Sequence, residues 1–287
     1  MIRVFGVFKV AFVIIIDFLY IYYIFHDETI AVLISCVIIV YTLLGGYLAL
    51  FQENAIYSKK LPNFERLRLE NAKRQLTKDV KNLSSIDISG IKIYMIDGDD
   101  DIQATAYGAK CISVSKGVIN HIDPITLNSI LAHEISHIIN LDPEFNRAIF
   151  ITVLLACCSI SILLFSTIAV VFIIFVIFSL FNSWVGFIAF KGIRKILSTI
   201  SSILQKCIVL IYRTIVSCIS RYSEFRADRY SADLGYGIQL LNFLTYIDSR
   251  TTNYISVTEA LYRMHPPTTK RILRLEAILN NEPRITR

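Results

Sequence analysis

Two histidines four positions apart, with a glutamate directly after the first, can hold one metal ion and activate a water beside it. The chain carries this arrangement at His133-Glu134-Ile135-Ser136-His137. On a helix His133 and His137 stand one turn apart on the same face, as zinc ligation requires, and Glu134 lies beside them as general base for the water. Peptide-bond hydrolysis is the chemistry that such a motif implies. The surroundings predict the helix: Asp123-Pro124 reads as an N-cap followed by proline at the first helical position. Leu127, Ile130, Leu131, Ile138 and Leu141 then keep helical spacing up to an expected stop at Asp142-Pro143.

Two histidines leave the metal short of a protein ligand. A third histidine of the HExxHxxGxxH kind is excluded, because Asn140 and Pro143 stand where that pattern needs glycine and histidine. Downstream, Ser223-Glu224-Phe225-Arg226-Ala227-Asp228 offers two carboxylates four apart on one helical face. Glu224 is the expected third ligand, and Asp228 the acceptor for the second N–H of a ligand histidine, fixing its tautomer and orientation. Such a set leaves one position open, so one zinc per chain is expected.

The elements that must position these residues lie in a membrane. Of 287 residues 54% are hydrophobic, and long runs lack charge. A first span is expected from about Val4 to Phe25 and a second from about Ile30 to Phe51, each long enough to cross a hydrocarbon core. Lys9 and Asp17 interrupt the first span. Lys9 is expected to snorkel to the interface, and Asp17 to face the helix bundle. The loop His26-Asp27-Glu28-Thr29 is acidic, whereas Lys59, Lys60, Arg66, Arg68, Lys73, Arg74, Lys78 and Lys81 follow the second span, so the basic side is expected to face the cytoplasm. No small-residue cleavage site follows the first span, and the N-terminus is expected to be retained. The six cysteines form no CxxC or evenly spaced framework, and no structural disulfide is expected.

Residues 64–83 have the pattern of an amphipathic helix, with Leu69, Leu76, Val80 and Leu83 on one face; its basic face suits anionic lipid or solvent equally. Ile91–Ile96 and Cys111–Val114 alternate as strands, predicting a small sheet before the HExxH helix, and Asp97-Gly98-Asp99-Asp100-Asp101 reads as a solvated turn. From Ala148 to Phe190 the chain is almost wholly apolar, enough for two crossings. A tight hairpin within that stretch is preferred, since it leaves Lys191, Arg194 and Lys195 cytoplasmic. In the alternative the first crossing ends near Trp184 and the second occupies Ile196–Ile219. Either returns Glu224 to the side of the two histidines.

The expected fold is therefore mainly α, an integral membrane protein with about four transmembrane helices and a cytoplasmic α+β zincin-type domain. Its parts are a membrane region over 1–54, a protease part with sheet and HExxH helix over 55–147, two further crossings over 148–219, and a C-terminal protease part carrying the glutamate ligand over 220–287. No nucleic-acid motif appears, and the net charge of +6 is concentrated near the spans, so the expected partners are polypeptides, membrane proteins among them, and the lipid bilayer.

With His-Glu-Ile-Ser-His, four apolar spans and Ser-Glu-Phe-Arg-Ala-Asp in this order, the chain resembles the HtpX-like membrane zinc metalloproteases, relatives of the type I CAAX prenyl proteases. Ile130-Leu131-Ala132, Asn140-Leu141-Asp142, His265-Pro266-Pro267 and Arg271-Ile272 extend the likeness over most of the chain. The resemblance implies that His133, His137 and Glu224 hold zinc, that Glu134 is the catalytic base, and that the site faces the cytoplasm of a cell (inner) membrane. It also implies an edge strand for an extended substrate, where Gln103-Ala104-Thr105-Ala106-Tyr107-Gly108 departs from the family's usual asparagine-led segment. For the oxyanion of hydrolysis, His265 or Arg271 is the expected donor, if the C-terminal segment folds over the cleft. A membrane endopeptidase working in membrane-protein quality control fits best. The alternatives are a CAAX-type protease for lipidated tails, a scaffold with a structural zinc, for which no fourth ligand is evident, and a transporter, for which Asp17 stands nearly alone as an intramembrane charge.

Overall fold

The computed structural model describes residues 2–84, 86–97, 102–179, 183–250 and 266–281. It divides into two compact units, Met1–Ala148 with Ser217–Arg287, and Ile149–Val216.

The first unit begins with two apolar helices, α1 (Ile2–Phe25) and α2 (Glu28–Gln52). Between them Asp27 caps α2, its carboxylate accepting from the Thr29 and Ile30 N–H groups. Both are long and apolar enough to cross a membrane. Their outward side chains, among them Phe8, Phe12, Leu19, Val37 and Phe51, are exposed, a surface that suits lipid and not water. Only a narrow stripe of α2 is buried: Ala31, Ser35, Ile38, Thr42, Gly46 and Leu50. Asp17 is buried within the same unit. Lys9, in contrast, does not snorkel. Its partly buried ammonium meets the carboxylate of Asp142 at 2.6 Å and lies over the Phe145 ring, because a carboxylate within reach holds the charge better than a stretched path to water.

A short strand β1 (Ile56–Tyr57) leads to α3 (Asn63–Leu83), followed by β2 (Lys92–Ile96), β3 (Ala104–Ala106) and β4 (Cys111–Ser115). The sheet runs β1-β2-β4-β3, with β2 and β4 parallel and the outer pairs antiparallel, which leaves β3 at an edge. Leu69, Leu76 and Val80 of α3 pack on the sheet's Ile93, Ile112 and Val114 and on Leu127, Leu131 and Ile135 beyond it, one continuous apolar core. Leu83, expected on that face, is exposed because it falls in the last turn of α3, past the edge of the core. Two basic residues of α3 serve the fold: Lys73 donates to the carbonyls of Ser89 and Ile91, and Arg68 to that of Ile122. Of the acidic turn, Gly98 to Asp101 lie outside the described residues.

After the short α4 (Lys116–His121), Asp123 and Pro124 open α5 (Pro124–Ile139), the aspartate accepting from the Ile125 and Thr126 N–H groups. The helix does not run to Asp142. It ends at Asn140, whose amide nitrogen donates to the Ser136 carbonyl, and at Leu141, which turns the chain with φ 54°. Asp142 and Pro143 then start the next helix, where proline is tolerated in the first turn.

That helix, α6 (Asp142–Ser179), continues without interruption, and α7 (Ser183–Ser231) follows. The tight hairpin inside residues 148–190 is therefore not what forms. One helix takes most of the apolar stretch, and the second apolar segment lies in α7, from Phe190 onward. Uniformly apolar sequence holds no break that would end a helix earlier. Within the second unit the two helices pack side by side, with Ser161 accepting from Gln205 and rings meeting at Phe150 with Tyr212 and at Phe175 with Phe190.

At its C-terminal end α7 passes through a π-turn at Ala232–Tyr236, with Gly235 at φ 89°, into α8 (Gly237–Arg250). The last helix is α9 (Thr268–Asn281). Ala232, Leu240, Leu244 and Leu275 form a small second core, with Ile272 packed against it, and so bring α9 onto α8.

Candidate active site

Helical periodicity sets the first half of the site. His133 and His137, one turn apart on α5, face the same point, their Nε2 atoms 3.2 Å from each other. Leu131, Ala132 and Ile135 on the other faces are buried, so the helix cannot rotate without exposing the core. α7 supplies the second half. Glu224 approaches His133 Nε2 at 3.3 Å and His137 Nε2 at 3.6 Å, and Asp228, one turn on, lies 3.0 Å from His133 Nδ1. The two helices are pinned by Ser231, whose hydroxyl donates to the Ser129 carbonyl at 3.0 Å.

Each imidazole has a carboxylate at its far nitrogen. For His133 this is Asp228; for His137 it is Asp142, at 2.9 Å from Nδ1. Sequence reasoning missed Asp142 and took it for a helix stop. The one signal for it is its place five residues after His137, just across the break that brings it back toward the ring. Asp142 in turn accepts from Lys9 of α1 and from Arg226 of α7, the latter to both oxygens at 2.9 and 2.6 Å. Asp228 is gripped by Arg271 of α9 through Nε at 2.8 Å and Nη2 at 2.6 Å, while Nη1 lies 3.1 Å from Glu224. Arg271 thus enters the site with its nitrogens engaged by Asp228 and Glu224. His265 lies outside the described residues.

The donor set fits a cation. With each Nδ1–H given to a carboxylate, both Nε2 atoms present lone pairs toward each other, and Glu224 adds an anionic oxygen. Ligand atoms of His133, His137 and Glu224 lie within 4.8 Å of one another. Facing lone pairs and a carboxylate, largely shielded from water, repel unless a positive charge sits among them. The same logic holds a proton: burial pushes the His133 imidazolium down, but Asp228 and Glu224 outweigh it and raise its pKa to about 10. Glu134, buried beside them, has its carboxyl pushed up by burial, with the two histidines pulling the other way.

A cleft of about 210 Å³ opens from this cluster. Its lining includes His133, Glu134, Glu224 and Arg271, Gln103 and Ala104 at the start of β3, and Thr268 of α9. Gln103 is held by its backbone: its carbonyl accepts from the Ser115 N–H at 2.9 Å, and its own N–H donates to the Ser115 hydroxyl at 3.1 Å.

A helix bearing His-Glu-x-x-His, a carboxylate from a second helix and flanking helices of membrane-spanning length together define a membrane metalloprotease framework. Residues 68–279 match the model of Peptidase family M48, and the chain belongs to that family. Its members are zinc-dependent metallopeptidases. No curated protein matches the chain. Among solved structures it is similar to S. mikatae Ste24p, with 21% identity and a TM-score of 0.46; the likeness covers 91% of this chain and 61% of that one.

Proposed function

We propose that this chain is a zinc-dependent membrane endopeptidase, with His133, His137 and Glu224 as the metal ligands and Glu134 as the base. The observation that carries the reading is the pair of Nε2 atoms 3.2 Å apart, each imidazole tied at its other nitrogen to a carboxylate, with Glu224 beside them. One zinc per chain held there supplies Lewis acidity, making a water nucleophilic near neutral pH and polarising the scissile carbonyl. Glu134 takes the water's proton and later gives it to the leaving amine. Asp228 and Asp142 hold the two imidazoles in the tautomer that leaves Nε2 free. A substrate strand aligns on the edge of β3 by main-chain hydrogen bonds. Arg271, set against Glu224 and Asp228, fixes the carboxylates; the oxyanion donor is then to be sought in Arg271 itself or in His265.

In this reading residues 55–147 and 220–287 form an α+β protease part of zincin type on the cytoplasmic side of a cell (inner) membrane. Residues 1–54 and 148–219 supply two crossings each. The basic segment after α2, against the acidic loop before it, supports that orientation. A role in membrane-protein quality control is the biological setting proposed for such an enzyme. Cysteine placed at Asp87, on a background without native cysteines, is expected to resist impermeant reagent added outside sealed cells; labelling from outside reverses the orientation.

Glu134→Gln tests the catalytic assignment. It keeps the side chain's shape and leaves the three ligands intact, so zinc content stays near one per chain. Hydrolysis, self-cleavage in detergent included, falls by about 10²–10⁴-fold. Undiminished proteolysis in a preparation free of other proteases ends the assignment.

A further inference from the structure

The cations of α3 fall into two sets. Lys73 and Arg68 turn inward and bind carbonyls of the fold. Arg74, Lys78 and Lys81 are exposed, and helical spacing places them with Phe64, Leu67 and Asn71 on the face turned away from the core residues Leu69, Leu76 and Val80. That face carries no carboxylate. Glu65, Glu70 and Asp79 lie at its flanks, half-buried, and Asp79 accepts from Gln75 and Tyr236. Lys59 and Lys60, in the single helical turn Ser58–Lys60 before α3, are exposed as well. Among the described residues none of these five cations stands in an ion pair. The N-terminal part of the same face is carbon: Phe64 is 59% and Leu67 53% exposed, as open as Phe12 at 55% and Leu19 at 56% on the apolar surface of α1. The Arg68 guanidinium lies over the Phe64 ring and, through the Ile122 carbonyl, ties this end of α3 to the start of α5, where Ile125 is exposed too. Large apolar side chains left open beside a row of cations call for a partner that is charged at its surface and apolar just beneath.

We infer that the outward face of α3 docks on an anionic lipid surface, that of the bilayer which α1 and α2 are long enough to cross. Phe64 and Leu67 enter the boundary between headgroups and acyl chains, and Arg74, Lys78, Lys81, Lys59 and Lys60 lie among the phosphates. Charge and polarity together name this occupant: anionic headgroups match cations without a carboxylate, and the acyl chains below them take the apolar side chains. An acidic soluble protein would satisfy the cations and leave Phe64 and Leu67 without a partner. The chain also delivers α3 near such a surface. Only residues 53–62 separate it from α2, whose last turn exposes Phe51, and that connection is folded back on itself, the Ala55 N–H donating to the Leu50 carbonyl and the Leu61 N–H to that of Ser58. A surface held so close needs little affinity, since the tether keeps its effective concentration high. Each cation near an anionic bilayer favours docking by about fivefold. None of these residues lines the cleft, so the contact places the protein on its membrane and leaves the chemistry of the site alone.

This inference goes beyond the peptidase reading and is tested without turnover. The chain has one tryptophan, Trp184. Trp184→Phe removes it, and Phe64→Trp puts a reporter at the apolar part of the face. The full chain is reconstituted in vesicles of phosphatidylcholine alone, or of phosphatidylcholine and phosphatidylglycerol in equal amounts, with and without a lipid brominated high on its acyl chains. Both leaflets carry the same lipids, so either orientation of the protein reads alike. In the anionic vesicles the emission is expected to shift to the blue and to be quenched by the brominated lipid, more strongly than in the neutral ones. Salt at about 1 M, where the Debye length is about 3 Å, is expected to weaken both effects. Arg74→Gln, Lys78→Gln and Lys81→Gln together are expected to abolish the difference between the two vesicles, while in detergent the emission matches that of the parent. Leu67→Asp offers a second route, and is expected to open the tryptophan to acrylamide in the anionic vesicles. A tryptophan that emits as in water, unquenched and open to acrylamide in both vesicles, overturns the inference. So does quenching that is equal in neutral and anionic vesicles and unmoved by the triple change. A tryptophan that stays wet on both vesicles and is shielded only by added polyglutamate marks a site for acidic protein and overturns the lipid assignment.

Discussion

His133 and His137 point at the same place, yet they are held from opposite parts of the chain. Behind His133 stands Asp228, one turn after Glu224 on the same helix, clamped by Arg271 from the last helix. Behind His137 stands Asp142, clamped by Lys9 from the first helix and by Arg226 from α7. Both flanks follow one plan, imidazole to carboxylate to cation, and in both the carboxylate is buried. They differ in what the cation belongs to. On one side it comes from α9, which packs on α8 through an apolar core; on the other it comes partly from α1, a helix long and apolar enough to cross a bilayer. The two imidazoles proposed to hold the metal are thus oriented by α9 at one side and, at the other, by a helix long and apolar enough to cross a membrane.

The largest expected effects treat the flanks as equal. His133→Ala and His137→Ala should each lower bound zinc from about one per chain to near zero, since two protein ligands seldom retain the ion. Elemental analysis of detergent-purified protein reads this, and full zinc retention in either variant removes that histidine from the ligand set. Asp228→Asn and Asp142→Asn come next. Each removes an acceptor behind a ligand and should weaken zinc by about 10- to 100-fold, measured by competition with a chelator. If Asp142→Asn leaves affinity untouched while Asp228→Asn does not, the symmetry is only geometric. The smallest effects separate the flanks by stability. Arg271→Met strands two buried carboxylates and should cost about 3–5 kcal/mol. Lys9→Met leaves Arg226 on Asp142 and should cost about 1–3 kcal/mol. Unfolding of the chelated proteins in mild detergent gives both values, and a greater loss at Lys9 would make the membrane-side clamp the dominant one.

The same two flanks show what sequence could and could not disclose. His133, His137, Glu224 and Asp228 are legible because each pair sits at helical spacing, and spacing on a helix is geometry. Asp142 is not, because Leu141 turns the chain at φ 54° between it and His137, and a turn has no period. Lys9 is less legible still: its partner lies 133 positions away, and only folding brings them together. The strands and the amphipathic α3 were readable from alternation and from Leu69, Leu76 and Val80. The limits of α6 and α7 were not, since an unbroken apolar run marks neither where a helix bends nor where it ends.

Two glycines carry a further consequence. A Cβ added at Gly6 of α1 would stand 2.7 Å from the carbonyl oxygen of Asn140, at the end of the HExxH helix, and one added at Gly46 of α2 would stand 2.5 Å from that of Tyr107, at the end of β3. The first two helices therefore meet the end of the HExxH helix and the end of β3 backbone to backbone, with no side chain as spacer. They are not a detachable anchor. A protein trimmed of its first 54 residues for the sake of solubility would be one with its HExxH helix and the end of β3 stripped of a supporting wall. Helices borrowed from another membrane protein would serve in their place only if they too kept glycine at both crossings.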